Sequence, residues 1–397
     1  MPPNSVGAVK PTEVGQVCYN INMKTRFPDF DNCLVNLANS VLKYYTGKTF
    51  HDSLPYLDKV LAEREYKNIV VILIDGMGSN IMKRNLPKNS FLRRHQVGTI
   101  DSVFPATTAS ATTSILTGKY PIETGWLGWE MYFPEVDEVV EQYRNRIKRT
   151  QEILPYPPIW KKYIPFKSLP DIIDESGVAR GVGVSPCDLG TNKLINFKEK
   201  SLRQMCKAVR KECANSERSY VCAYFDLFDT VAHDHGSDSW QAKQVLKKVN
   251  RRLEKLMSKL NDTLVVITAD HGHLKANYHL VSDYPKLYSM LARTTSIDSR
   301  ATGFFVKPRY RKEFAKEFWK VFNKKDFELL TRQEVLARKV FGYGKMHPFA
   351  KTAIGDYLAI SKGEGCIAND DYKHQAVSTH AGISEDEVVV PLIVVKT

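Results

Sequence analysis

The run Ile69-Val70-Val71-Ile72-Leu73-Ile74 stops abruptly at Asp75-Gly76. Most of its residues are β-branched, and no polar residue alternates with the apolar ones. A run this short and uniformly apolar, closed by turn residues, reads as a parallel strand buried on both faces. Three later runs have the same character, at 221–225, 264–268 and 388–395, each bounded by Asp, Gly or Pro. Between the runs, apolar residues recur at helical spacing over 32–45, 109–116, 200–212, 240–260 and 311–322. Strands alternating with helices predict an α/β fold built on a doubly wound, mostly parallel sheet.

Sheets of this kind bind ligands beyond the carboxyl ends of their strands. Asp75, Asp226, Asp229 and Asp270 all stand at or just after those predicted ends. Two stretches break the alternation. Residues 126–170 are rich in Pro, Trp and Tyr, and 275–375 include the basic segment 311–325. Both are expected to be insertions that form a lid or substrate-side wall. The expected organisation is an N-terminal segment, 1–65, packing on the outside of a catalytic unit, 66–397.

Bulk composition narrows the function classes. The 397-residue chain carries a net charge of +13. Part of that charge is explained locally: Val245, Val249, Leu253, Leu256 and Leu260 fall on one face of a helix, so the basic residues of 243–259 fall on its outer face. The remaining excess suits an anionic partner, with a small phosphate ester or nucleotide expected ahead of a nucleic acid. The seven cysteines are scattered without a Cys-x-x-Cys pair, as expected of reduced thiols in a cytoplasmic protein. No apolar run is long enough for a membrane span, and no secretory signal is visible at the amino terminus.

The chemistry is concentrated in five short motifs. Asp229 and His233 are four residues apart, Asp270-His271-Gly272 follows a strand, and Thr379-His380-Ala381-Gly382 lies near the carboxyl end. Asp75 tips the first strand, and Phe104-Pro105-Ala106-Thr107-Thr108 places hydroxyls at the mouth of a helix. Singly, each motif has an ordinary structural explanation, such as a turn or a helix cap. Together they supply carboxylates, imidazoles and a hydroxyl at strand ends, the donor types of a two-zinc phosphate-transferring site. Two four-coordinate zinc ions need about eight ligand atoms, and Asp75, Thr108, Asp229, His233, Asp270, His271 and His380 provide most of them. Thr107 is the rival nucleophile. Asp226, Asp234 and His235 read as orienting or surface groups, and His273, His347 and His374 as ordinary histidines.

The order Asp-Gly, Phe-Pro-x-x-Thr, Thr-Gly-x-Tyr-Pro, Asp-x-x-x-His, Asp-His-Gly, Thr-His-x-Gly resembles the alkaline phosphatase superfamily, most closely its type I phosphodiesterase/nucleotide pyrophosphatase branch. The resemblance runs from about residue 70 to 391. It implies an alkaline-phosphatase-like sheet with helices on both faces and inserted lid segments. Thr108 is then the nucleophile of a phospho-threonine pathway. One zinc is implied on Asp229, His233 and His380, and a second on Asp75, Thr108, Asp270 and His271; other divalent metals suit the same donors. Sulfatases of the superfamily use a Cys/Ser-x-Pro-x-Arg motif, which this chain lacks.

The chain departs from the family where an Asn-x-Met-Tyr motif usually helps hold a phosphate oxygen. Met131-Tyr132 match, but Trp129 stands in place of the Asn. Its indole N–H, or backbone N–H groups, would have to take over. Trp126 and Trp129, with Tyr132 and Phe133, are also candidates for stacking a base. The expected activity is that of a phosphodiesterase or nucleotide pyrophosphatase. A phosphomonoesterase or phosphonate hydrolase on the same site is the alternative within enzymes. A basic nucleic-acid-binding protein with a non-catalytic metal site is the alternative outside them.

Overall fold

The structure, a computed structural model, describes residues 24–215, 217–369 and 375–397. His374 therefore lies outside the described residues, as does the start of the 1–65 segment. The central sheet has seven strands: β1 (Asn68–Ile74), β2 (Gln96–Asp101), β3 (Arg180–Ser185), β4 (Leu194–Asn196), β5 (Ser219–Phe225), β6 (Thr263–Thr268) and β7 (Val389–Lys396). Their order is β2-β7-β6-β1-β5-β3-β4. β1 runs parallel to β5 and β6, and β3 runs parallel to β5 and β4.

Every residue of β1, β5 and β6 is buried. Full burial of a Val, Leu or Ile side chain is worth about 1.5–3 kcal/mol, against about 1–2 kcal/mol to order each residue's backbone. Burial on both faces is therefore what holds these strands, and their unbroken apolar runs are its signature. Helices Leu34–Thr46, Thr108–Thr117 and Leu169–Glu175 cover one face of the sheet. Helices Leu202–Cys213, Leu227–His235 and Trp240–Met257 cover the other. In the last of these, Leu246, Val249, Leu253 and Leu256 are buried and the lysines and arginines face outward, as the spacing predicts. The Leu34–Thr46 helix, from the N-terminal segment, is buried along most of its length.

The strand at 388–395, grouped with the parallel runs on sequence, is antiparallel to β6 and β2. The reason is connectivity. A parallel strand needs a crossover of a dozen or more residues, whereas the chain enters β7 from the ligand-binding edge after only the short helix Glu385–Val388.

The two stretches expected as separate insertions meet. They form a second seven-stranded sheet, in the order Phe327–Thr331, Tyr357–Ser361, Ala301–Phe304, Ser296–Ile297, Glu130–Phe133, Glu138–Glu141 and Arg146–Ile147. Its pairings are antiparallel, and Ile297 opposite Glu130 is the junction between the two stretches. A separate apolar cluster that includes Phe304, Phe314, Phe318 and Phe322 packs on this sheet.

One hairpin of the second sheet, with Asp298, Ser299 and Arg300 at its tip, reaches back to the first. Arg300 donates from Nε and Nη2 to the two oxygens of Glu387, at 2.6 and 2.7 Å, and both side chains are fully buried. Glu387 also accepts from the Gly382 N–H at 2.7 Å and the Ser384 hydroxyl at 2.6 Å. Its carbonyl accepts from the Gly272 N–H at 2.8 Å. The pair thus fastens the loops that carry His380 and His271. Burial alone would raise the Glu387 carboxyl, but Arg300 holds it below its usual value. That contribution to stability is present above the unfolded carboxylate value and is lost as pH falls through the lower folded one. Glu387→Ala leaves a buried guanidinium unpaired and is expected to cost about 3–5 kcal/mol, read as a lower urea midpoint at pH 7.

Candidate active site

The carboxyl ends of β1, β5 and β6 open onto one edge of the sheet, and the predicted ligands stand there. The Asp75 N–H donates to the Phe225 carbonyl at 3.0 Å, which ties the ends of β1 and β5. Gly76 follows with φ +73°, and a Cβ there would lie 2.7 Å from His273 Nε2. Glycine is therefore needed both for the left-handed turn and for the close approach of the imidazole. Tyr224 donates its hydroxyl to Asp75 Oδ2. Asp270 Oδ1 accepts from the N–H groups of Gly76 and His271, at 3.1 and 3.0 Å.

These bonds leave a set of donor atoms facing one another. His271 Nε2 is 3.2 Å from Asp75 Oδ1, 3.6 Å from Asp270 Oδ2 and 3.1 Å from Thr108 Oγ1. Asp229 Oδ1 is 3.4 Å from His233 Nε2 and 3.8 Å from His380 Nε2. Asp75 Oδ1, Asp270 Oδ2 and His380 Nδ1 are buried and have no hydrogen-bond partner among the described residues. Ligands at about 2.1 Å from a tetrahedral ion stand about 3.4 Å from each other. The 3.4, 3.6 and 3.8 Å spacings match the edges of such a tetrahedron, while the His271 contacts at 3.1 and 3.2 Å are also of hydrogen-bond length. The His271 and His380 rings stack at 3.7 Å, which brings the two groups together.

The free ring nitrogens are also set correctly. His271 Nδ1 lies 3.0 Å from the Gly272 carbonyl, and His233 Nδ1 lies 2.8 Å from the Ser378 carbonyl. A ring N–H donated to a carbonyl leaves Nε2 as the lone-pair donor, the usual arrangement of a metal-ligating histidine. The residues present thus fit divalent metal ions in donor type and in buried atoms without partners, and they form three close donor groups: Asp75, Asp270 and His271; Asp229, His271 and His380; and Asp229, His233 and His273.

The electrostatics agree with a cation at this position. Burial, then the charges of Asp229 and Asp270, push the Asp75 carboxyl well above its usual range. Burial would lower His271, but Asp270 and Asp75 beside it raise it to about 10. Burial would raise Asp229, yet His233 and His273 hold it well below the usual carboxylate range. His380 is pushed down by burial and by the charge of His271. Since His271 must shed its proton to coordinate, metal binding should release a proton below pH 10. Zinc affinity is expected to rise with pH, by at least about tenfold per unit between pH 6.5 and 7.5, measured by competition against a chelator of known pH dependence.

His273 corrects the expectation that it is an ordinary histidine. It is fully buried, and its Nε2 lies 2.8 Å from Asp229 Oδ1. Its Nδ1 is 3.3 Å from the Ser378 hydroxyl. The Asp229 contact has hydrogen-bond length rather than the spacing of two ligands, so His273 orients the Asp229 carboxylate. The signal was present in the sequence, since His273 is two residues beyond His271 as the chain leaves β6. Asp234 and His235 are exposed, and His347 caps its own helix through Nδ1. Asp226 stands at the start of the Leu227–His235 helix, and its Oδ1 is buried without a partner among the described residues.

Thr108 is the first residue of the Thr108–Thr117 helix and is 8% exposed. Thr107, fully buried, turns its hydroxyl to Asp298 Oδ2 at 2.9 Å. Sequence reasoning did not find Asp298, because it comes from an irregular hairpin tip some 190 residues away. Burial, and behind it the charge of Glu130, pushes its carboxyl up to about 6.

Trp126 does not stack a ligand. It is fully buried among Tyr143, Trp160 and Phe166, and its Nε1–H donates to the Ile164 carbonyl at 3.1 Å. Phe133 is likewise core, and Tyr132 lies under Arg293, 3.8 Å from its ring centre. Trp129 is half-buried, between Tyr143 and the guanidinium of Arg144.

Comparison with known families meets this geometry. The model of the type I phosphodiesterase / nucleotide pyrophosphatase family matches residues 69–380, a span that contains every residue of the ligand set. The chain belongs to that family. Among solved structures, murine ectonucleotide pyrophosphatase/phosphodiesterase 5 is similar at 14% identity and a TM-score of 0.62, over 82% of this chain and 87% of that one. Phosphonoacetate hydrolase from Sinorhizobium meliloti 1021 is similar at 16% identity and a TM-score of 0.61, over 82% of this chain and 89% of that one. At such identities the likeness establishes the fold, which is that of the alkaline phosphatase superfamily. No curated sequence matches the chain. Family membership makes the type I phosphodiesterase-like chain a phosphoester hydrolase. No described helix is long and apolar enough to cross a membrane.

Proposed function

We propose that this family member is a two-zinc phosphodiesterase or nucleotide pyrophosphatase that works through Thr108. The observation that carries the reading is the Thr108 hydroxyl, 3.1 Å from His271 Nε2, which itself lies 3.2 and 3.6 Å from the unpartnered carboxylate oxygens of Asp75 and Asp270. Asp229, His233 and His380 would hold one ion; Asp75, Thr108, Asp270 and His271 would hold the other. The bound ions would supply positive charge that lowers the pKa of the Thr108 hydroxyl and offsets charge on the phosphoryl oxygens.

Everything else is done by the chain. The Thr108–Thr117 helix places Thr108 at its N-terminus, where the first N–H groups and the dipole favour anionic oxygen. Thr108 Oγ1 gives up its proton and forms the bond to phosphorus as the ester oxygen leaves with its electron pair and takes up a proton. Water then hydrolyses the phospho-threonine and restores the hydroxyl. Tyr224 fixes the Asp75 carboxylate, and His273 fixes that of Asp229.

Diester over monoester is supported by the charges bordering the ligand set. Asp298 has no cation partner among the described residues, and the buried Lys148 is already paired with Glu130. A monoester dianion would add charge beside Asp298, whereas a diester carries one negative charge fewer. A nucleotide substrate is in keeping with the murine relative, an inactive variant of which is described in complex with AMP. Cytoplasmic placement is supported by the six described cysteines, all free thiols.

The test is hydrolysis of two chromogenic esters by zinc-loaded protein: p-nitrophenyl phosphate and the p-nitrophenyl ester of thymidine monophosphate. Faster cleavage of the diester is expected. Faster cleavage of the monoester would move the chain to a phosphatase reading.

A further inference from the structure

The Thr108–Thr117 helix begins in an unusual way. Thr107 occupies its N-cap position with extended backbone, φ −134° and ψ 149°, and threonine there ordinarily turns its hydroxyl onto an N–H of the first turn. Here the Thr107 side chain makes no cap bond. It donates instead to Asp298 Oδ2 at 2.9 Å. The first-turn N–H groups have no acceptor within the helix itself, so withholding the cap leaves them directed at whatever meets Thr108.

Asp298 is held firmly for this task. Its Oδ1 accepts from the Ser299 N–H at 2.7 Å, and its own N–H donates to the Ala301 carbonyl at 3.1 Å. Ile297, just before it, has φ +75°, a left-handed conformation that a β-branched residue rarely adopts. Such outliers persist only where the surrounding structure fixes them. Gly128 supplies the room, because a Cβ there would lie 2.5 Å from the Ile297 carbonyl oxygen. Next along the hairpin, Arg300 is locked to Glu387. The tip is thus clamped on both sides, and Asp298 meets the residue preceding the nucleophile.

We infer that Asp298 is a positioning residue that holds the Thr107 hydroxyl off the helix N-terminus, so that the first-turn N–H groups bind a non-bridging phosphoryl oxygen of the substrate. This inference rests on the proposed hydrolase reading and deepens it. It assigns the phosphate contact left open by Trp129 to backbone N–H groups, and it gives the inserted sheet a part in substrate binding.

The test is calorimetric binding of inorganic phosphate to zinc-loaded protein at pH 8, for the parent chain, Asp298→Ala, Asp298→Asn and the double variant Thr107→Val, Asp298→Ala. Zinc content and circular dichroism establish that each variant is loaded and folded. Asp298→Asn and Asp298→Ala both lose the charge, but only the Asn keeps an acceptor for Thr107. Asp298→Ala is expected to bind phosphate about fivefold to tenfold more weakly than Asp298→Asn, the size of one N-cap bond. Adding Thr107→Val to Asp298→Ala removes the hydroxyl that would occupy the helix N-terminus, and affinity should return to the Asp298→Asn level. Equal affinities for Asp298→Ala and Asp298→Asn, or a double variant no better than Asp298→Ala, would overturn the inference alone. A parent protein that neither binds phosphate nor cleaves the diester would overturn the hydrolase reading together with it, whereas one that cleaves the diester but binds no phosphate would overturn the inference alone.

Discussion

Thr108→Ala is expected to lower kcat for the diester by at least about 10⁴-fold, the scale on which loss of a nucleophile is felt in other hydrolases. The same variant should keep most of its zinc. Thr108 contributes a single oxygen, while Asp75, Asp270 and His271 remain around the same point, with His271 Nε2 3.2 and 3.6 Å from the two carboxylates. Loss of turnover with metal retained distinguishes a nucleophile from a residue that merely helps build the site. Thr107→Val is the control. Its hydroxyl is committed to Asp298, so turnover should stay within about tenfold of the parent. If Thr108→Ala stays active and Thr107→Val does not, the two roles are exchanged.

Asp229→Ala should be nearly as damaging, for a different reason. One carboxylate oxygen, Asp229 Oδ1, stands 2.8 Å from His273, 3.4 Å from His233 and 3.8 Å from His380. Its removal takes one ligand from the site and releases the imidazole that orients it. Bound zinc is expected to fall from two ions per chain towards one. Turnover should fall by at least about 10³-fold, since a catalytic metal supplies several kcal/mol of charge stabilisation. His273→Ala should be milder, because the carboxylate remains and only its orientation is freed. About 10- to 100-fold in metal affinity is the expected cost. A His273→Ala protein that binds zinc as tightly as the parent would return His273 to a packing role.

The parts of this molecule legible in its sequence are those that one physical pattern dictates. β1, β5 and β6 are buried on both faces, so burial imposes unbroken apolar runs, and the acids at their ends follow from where such sheets bind ligands. β2 was not legible, because it is an edge strand with exposed residues in its first half. β3 is interrupted by Gly181 and Gly183, and Gly181 is required because a Cβ would strike the Pro170 backbone. The second sheet is made of strands of two to five residues, too short for any period to show.

The same contrast holds at the site. Asp75, Asp229, His233, Asp270, His271 and His380 could be named because each belongs to a short motif at a strand end or helix. Asp298 could not, since nothing local marks it and only the fold brings it to Thr107. Trp126 was misjudged for a complementary reason. Aromatic residues near a nucleophile suit stacking, but the indole N–H here is satisfied by the Ile164 carbonyl deep in the core.

In the proposed mechanism two metal ions and one hydroxyl act together at the edge of this sheet. Its most direct test is to strip the protein with a chelator, return zinc in measured equivalents, and follow bound zinc and diester hydrolysis in the same samples. Saturation is expected at two zinc ions per chain, with activity absent before zinc is returned and complete only when the second ion is bound. Full hydrolysis by the stripped protein, or saturation at two ions with no hydrolysis of either chromogenic ester, would contradict it.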